Sequence, residues 1–103
     1  MRNMNEILRQ AQVMQNKLGK LKEEAEKNTY EASSGGGMVK VVVNGNQIVQ
    51  SVTIDPEAVK SGDVEMLQDL IISAVNEANR ISRESLEREM TVLSNGIRLP
   101  GMF

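Results

Sequence analysis

The side chains best able to do chemistry in this chain are its cations. Arg2, Arg9, Lys17, Lys20 and Lys22 fall in the first helical stretch, off its apolar seam and able to point outward. Lys and Arg at intervals along an extended element suit the phosphates of a nucleic-acid backbone, a contact that requires charge but no reading of bases. The same residues also serve simply to solvate a helix, and spacing alone does not separate the two readings. Catalytic groups are scarce. With no His and no Cys in the chain, imidazole bases and ligands, thiolate nucleophiles, thiolate metal sites and disulfides are all removed. Glu65 and Asp69 make an acidic i,i+4 pair, but a helix start favours carboxylates without any metal. Gly35-Gly36-Gly37 invites comparison with a phosphate loop. No Lys-Ser or Lys-Thr follows it and a strand-like run comes next, so nucleotide binding is not expected. The composition points to no enzyme, no cofactor, no metal and no small-molecule substrate.

The cations are unevenly placed. Net charge is −2, from 12 basic and 14 acidic residues, so the chain as a whole is not a basic nucleic-acid binder. Residues 1–22 nevertheless carry Arg2, Arg9, Lys17, Lys20 and Lys22 against Glu6 alone. Residues 80–103 carry four Arg against three Glu, so positive charge collects toward the two ends of the chain. A length of 103 residues fits a single domain spanning residues 1–103. Its apolar content is nearly all aliphatic and Met, with one Tyr, one Phe and no Trp. That scarcity argues against aromatic platforms for single strands and favours a duplex backbone. It also leaves two long helices without large core anchors, which makes burial in an oligomer attractive. No apolar run reaches membrane-spanning length and no signal peptide is evident, so a soluble cytoplasmic protein is the expectation.

The elements that must position these charges are legible. Over residues 3–27, Met4, Ile7, Ala11, Met14, Leu18, Leu21 and Ala25 repeat at alternating spacings of 3 and 4, a strict heptad stripe with Leu8 widening it. The stripe packs on this chain's own sheet or helix, or on another chain; the pattern leaves both open. Lys20–Glu24, Lys22–Glu26 and Glu23–Lys27 are spaced for i,i+4 ion pairs. Residues 28–33 alternate weakly and form a candidate edge strand. Two β-branched runs, Val39–Val43 and Ile48–Ile54, flank Asn44-Gly45, a strong signal for a tight hairpin turn. If Val43 pairs with Asn46 or Ile48, one face collects Val39, Val41, Val43, Ile48, Val52 and Ile54. The opposite face, with Lys40, Val42, Val49, Ser51 and Thr53, is mixed and a candidate for dimer contact. Asp55-Pro56 can cap a short helical turn, and Asp63 a second long helix over residues 64–93. The first half of that helix, through Ile81, has a broad apolar face. Its second half is dense in charge, with Arg80–Glu84, Arg83–Glu87 and Glu84–Arg88 at ion-pair spacing, and reads as a projecting arm. Ser94-Asn95-Gly96 closes it, with residues 94–103 expected as a flexible tail. The fold class is α+β: long helix, three-stranded antiparallel sheet, long helix.

This order resembles the YbaB/EbfC family of small bacterial nucleoid-associated proteins. The resemblance is carried by Gln10–Lys17, Gly35-Gly36-Gly37-Met38-Val39-Lys40-Val41, Asn44-Gly45 and Val52-Thr53-Ile54-Asp55-Pro56. Met66–Ile71 with Ala74–Ala78, and the closing Leu99-Pro100-Gly101-Met102-Phe103, are similar as well. The resemblance implies a tight homodimer with projecting helices that binds double-stranded DNA with little or variable sequence preference and influences its conformation and gene expression. It implies a place at the nucleoid, with neither cofactor nor catalysis. It also implies DNA contacts at Lys17, Lys20, Lys22, Arg80, Arg83 and Arg88. A protein-interaction or scaffold dimer whose arms grip a partner protein is the competing reading.

Overall fold

Asn3 opens the first helix: its side-chain oxygen accepts from the Glu6 N–H at 2.8 Å, satisfying one of the four free donors at a helix start. Helix α1 (Met4–Lys27) is followed by strand β1 (Thr29–Ser34), a 3-10 turn at Gly35–Gly37, and strands β2 (Val39–Asn44) and β3 (Val49–Ile54). Helix α2 (Pro56–Lys60) and helix α3 (Val64–Gly96) complete the chain. The structure, a computed structural model, describes residues 3–96. Arg2 and residues 97–103, with the Leu99–Phe103 motif, lie outside the described residues. Asp55 caps α2 through the Glu57 N–H at 2.9 Å, and Asp63 caps α3 through the Met66 N–H at 2.9 Å. Residues 94–96, expected as the start of a tail, belong to α3.

The strands form one antiparallel sheet in the order β1-β2-β3. Here the hairpin differs from expectation. Asn44 N–H donates to Ile48 O at 2.9 Å, and Gln47 N–H donates to Asn44 O at 3.1 Å. The loop therefore has three residues, and the positive φ falls on Gln47, at 62°, not on Asn44 or Gly45. A type I turn followed by one left-handed residue gives this geometry. Val43 pairs with Val49 rather than with Asn46 or Ile48, and a register shift between Val42 and Val43 absorbs the extra residue. Val49 thus takes the place on the core-facing side that Ile48 was expected to hold, and Ile48 is exposed.

Val39, Val41 and Val43 are fully buried with Ala74 and Ala78 of α3, and Ala32 of β1 joins them. The two alanines let α3 lie close to the sheet. Its footprint covers β1 and β2 and leaves β3 exposed along all but its last residue. The heptad stripe of α1 is likewise mostly uncovered by its own chain. Ala25 is buried and Leu21 and Met14 are half-buried, whereas Met4, Ile7 and Leu18 are exposed.

Candidate nucleic-acid interface

The interface is built on a helical arm whose root is the hairpin turn. Gly45 N–H donates to the Ala25 carbonyl at 2.8 Å, and Asn46 Nδ2 donates to the Lys22 carbonyl at 3.2 Å. Two carbonyls in the last turns of α1 thereby accept a hydrogen bond from the turn, Ala25 O in addition to the one it takes from Asn28 N–H. From the other side, Ser82 Oγ of α3 donates to Asn44 O at 2.7 Å and accepts from Gln47 Nε2 at 3.1 Å. Tyr30 and Ser85 share a hydrogen bond of 2.8 Å one turn further along α3. One loop therefore ties both helices to the sheet. Beyond it the helices run antiparallel. Leu21 of α1 shares a groove with Ser85 and Arg88, while Lys17 meets Val92 and Leu93. The result is a molecule of 69 × 23 × 16 Å.

Along this arm the expected site residues separate into groups. Lys17 and Lys20 line the groove between α1 and α3 with Glu24 and Glu89. Arg88 lines its next stretch, again beside Glu24 and Glu89. Lys22 is two residues past Lys20, about 200° around the helix, and points away from that groove. Arg83 is exposed on α3. Arg80 is held between two carboxylates: its Nε meets Glu77 Oε2 at 3.0 Å, and its Nη1 meets both oxygens of Glu84 at 2.9 Å. The hydrogen bond from Arg80 holds the Glu77 carboxyl below its ordinary range, and the two carboxylates raise the guanidinium further.

Most of the spaced charge pairs do not close. Among the described residues the ion pairs are Lys60–Glu57, Arg80–Glu77 and Arg80–Glu84. The pairs at Lys20–Glu24, Lys22–Glu26, Glu23–Lys27, Arg83–Glu87 and Glu84–Arg88 are absent. Exposed pairs of this kind contribute little against the entropy of ordering two long side chains, so leaving them open costs little. Lys17, Lys20, Lys22, Arg83 and Arg88 consequently have no ion-pair partner among the described residues. Arg9 is one of the five outward-facing basic residues read on the first helical stretch, though not one of the contacts that the family resemblance implies. It is exposed and eleven residues before Lys20, about three helical turns, so both share one face of α1. That spacing was the available signal. Among the described residues no cluster of three or more metal-ligating side chains is present, and no helix is long and apolar enough to cross a membrane.

Comparison with known proteins meets this geometry. A crystal structure of an uncharacterized protein from Helicobacter pylori superposes with a TM-score of 0.83, covering 90% of this chain and 98% of that one. At 22% identity it supports the fold alone. Proteins named nucleoid-associated protein from Desulforamulus reducens and Moorella thermoacetica are 50% and 52% identical over 101 residues. Each alignment covers 98% of this chain, with 96% and 97% of the relatives' own lengths. The family model described as the YbaB/EbfC DNA-binding family matches residues 1–97, from the free end of α1 to just past α3. A match of that extent takes in platform, turn and arm together, and the chain belongs to the YbaB/EbfC DNA-binding family.

Proposed function

We propose that this chain is a nucleoid-associated protein that binds double-stranded DNA as a homodimer, contacts phosphates with little sequence preference, and thereby alters DNA conformation, nucleoid organisation and gene expression. It carries no enzyme activity in this reading. The observation that supports it most is the row of unpaired cations on the arm. Arg9, Lys17 and Lys20 follow one side of α1, and Arg88 of α3 lines the stretch of the groove next to that of the two lysines. Arg9 and Lys20 are about 16 Å apart along the axis, a span that meets about five phosphates of one strand. Lys22 and Arg83 extend the basic surface to neighbouring faces, and Arg80 adds least because Glu77 and Glu84 already neutralise it. Tyr30 packs against the hydrophobic core, which argues against its use as a platform for stacking an unpaired base.

A salt titration of duplex binding tests this reading. If each arm neutralises a few phosphates, log affinity falls with log salt with a slope of magnitude about 3–6. A flat response, or no binding at low salt, refutes it. The exposed Met4, Ile7 and Leu8 at the free end of α1 favour one other reading, a scaffold dimer that grips a partner protein. That reading predicts the flat response.

A further inference from the structure

Helix α1 reaches farther than the helix that covers it. Lys17 and Leu21 share a groove with Val92 and Leu93. The two helices run antiparallel at equal rise, so Gly96, the last residue of α3, is level with about residue 14 of α1. Residues 4–13 of α1 therefore extend past the end of α3. Ala25, Leu21, Met14 and Ile7 fall along one side of α1, with Ile7 about five full turns before Ala25. Ala25 is buried and Leu21 half-buried, where the hairpin turn and α3 cover them. Met14 is half-buried at the end of α3. Gln10, a turn further out on the same side, is half-buried too, although α3 stops about one turn before it. Beyond Gln10 the cover ends: Ile7 is 43% and Met4 67% exposed. Most helical stability comes from packing an amphipathic face rather than from propensity, and this end of α1 has an apolar stripe to pack.

We propose that residues 97–103 of the same chain dock on this stripe, running from the end of α3 toward the free end of α1. Three observations select that segment as the occupant. The first is reach. The stripe from Met14 to Met4 is about 15 Å long, and residues 97–103 span at most about 23–25 Å when extended. The segment also begins where α3 stops, beside the near end of the stripe. The second is chemistry. Ile97-Arg98-Leu99-Pro100-Gly101-Met102-Phe103 has four large apolar side chains and one charge. In extended backbone Ile97 and Leu99 share a side and Arg98 takes the other, which suits an apolar stripe bordered by water. Pro100 turns Leu99 away from helical backbone, so the segment is not suited simply to prolong α3. The third is the half-burial of Met14 and Gln10, which falls on the first part of this path. Docking braces the turns of α1 that carry Arg9, and it takes up the face that the scaffold reading gives to a partner protein. It requires neither DNA nor a second copy of the chain.

The chain has no Cys, so an introduced pair reports the contact without background. At about 3.3 Å per residue Leu99 falls about 10 Å past Gly96, level with Ile7. Ile7→Cys with Leu99→Cys, treated with a short bismaleimide at micromolar concentration without DNA, should cross-link within one chain of 11.4 kDa. The control is Gln12→Cys with Leu99→Cys, since Gln12 is exposed and lies about 140° around the helix from Ile7. The Ile7 pair should react at least about tenfold faster, because docking raises the effective concentration at that position. Equal rates overturn the proposal. So does a product of mainly twice the chain mass, which would place the segment on a second copy. Hydrogen exchange supplies an independent reading on Leu99→Ser with Phe103→Ser. Amides of residues 7–14 should exchange at least about tenfold faster than in the parent, with those of β2 still protected as evidence of an intact fold. Unchanged exchange over residues 7–14 overturns the docking.

Discussion

Replacing Gly45 by Ala separates two accounts of the hairpin turn. Gly45 has no positive φ, since that burden falls on Gln47. On backbone grounds alone Gly45→Ala should stabilise the fold by about 0.4–1 kcal/mol, through lost freedom of the unfolded chain. Packing argues the reverse. A Cβ here would stand 2.7 Å from the Ala25 carbonyl oxygen, 2.8 Å from its Cβ and 2.9 Å from its Cα. None of these atoms can swing aside, so either the turn or α1 must shift, and the 2.8 Å bond from Gly45 N–H to Ala25 O is strained or lost. Overpacking costs about 1–3 kcal/mol, and a lost hydrogen bond adds about 0.5–1.5 kcal/mol. Against the entropic gain, the net is a destabilisation of about 0.5–4 kcal/mol. Each kcal/mol lowers Tm by roughly 4–8 °C in a domain of this size. Urea and thermal unfolding at one fixed protein concentration provide the measurement, since association also contributes to apparent stability. Hydrogen exchange locates the loss: amides at the C-terminal end of α1 should open before those of β2. A Gly45→Ala variant as stable as the parent would refute the docking of turn on helix.

The other expectations concern charge and the second glycine-bearing turn. Lys17→Glu with Lys20→Glu should weaken duplex binding at least about tenfold and reduce the salt slope by about 2, each lost phosphate contact being worth about 0.9; unchanged affinity assigns the site elsewhere. Glu77→Gln with Glu84→Gln should free Arg80 and tighten binding, whereas Arg80→Ala alone should change it little; the opposite order refutes the neutralised triad. In the parent, Arg80 depresses the Glu77 carboxyl, so its contribution to stability is present above the unfolded carboxylate range and lost as pH falls through the depressed folded value. NMR titration should show the Glu77 midpoint rising in Arg80→Ala, and an unmoved midpoint contradicts the assignment. Gly35 and Gly36 both have positive φ, but a Cβ at Gly35 would meet Leu70 Cδ2 at 2.8 Å and one at Gly36 meets nothing within 4 Å. Gly35→Ala should therefore destabilise more than Gly36→Ala, whose cost is about 1 kcal/mol of left-handed backbone, and equal losses would show that Leu70 gives way freely.

Element boundaries were legible because local chemistry sets them. Asn3, Asp55 and Asp63 cap helices through their own side chains, and the runs either side of Asn44-Gly45 are rich in residues suited to a pleated surface. The turn itself misled. Asn-Gly signals a two-residue loop through its tolerance of positive φ, but here Gly45 is required by the approach of Ala25, a residue twenty positions earlier. No local rule contains that contact. The three-residue loop also went with the register shift that placed Val49 beside Val43. Ion pairs failed for a different reason, because helical spacing permits a pair while solvation and side-chain entropy decide whether it closes. Of the candidate site, sequence supplied the cations, but not which of them share a groove or that Arg80 is neutralised. The glycine triplet forms a left-handed turn into the sheet, and the candidate cations stand on the helices the hairpin holds.

Net charge and local charge pull against each other on this molecule, and distance decides which one DNA meets. At physiological salt, screening confines electrostatics to about 8 Å. Farther out, a chain of net charge −2 offers DNA no attraction, and within the groove Glu24 and Glu89 stand beside Lys17, Lys20 and Arg88. One arm is therefore a weak ligand. In the proposed homodimer, two arms on one platform would convert the second contact into an intramolecular event, a gain of about 10²–10⁴ without any new contact. This leads to a test whose sign is opposite to simple electrostatics. Val49→Lys with Val52→Lys adds positive charge, and charge alone would strengthen binding to a polyanion. If the exposed β3 edge takes part in the proposed homodimer, the same change separates the arms and should weaken duplex binding at least about tenfold, the added lysines offsetting only part of the lost linkage. Binding by the variant as tight as the parent's, or tighter, would mean that a single arm suffices.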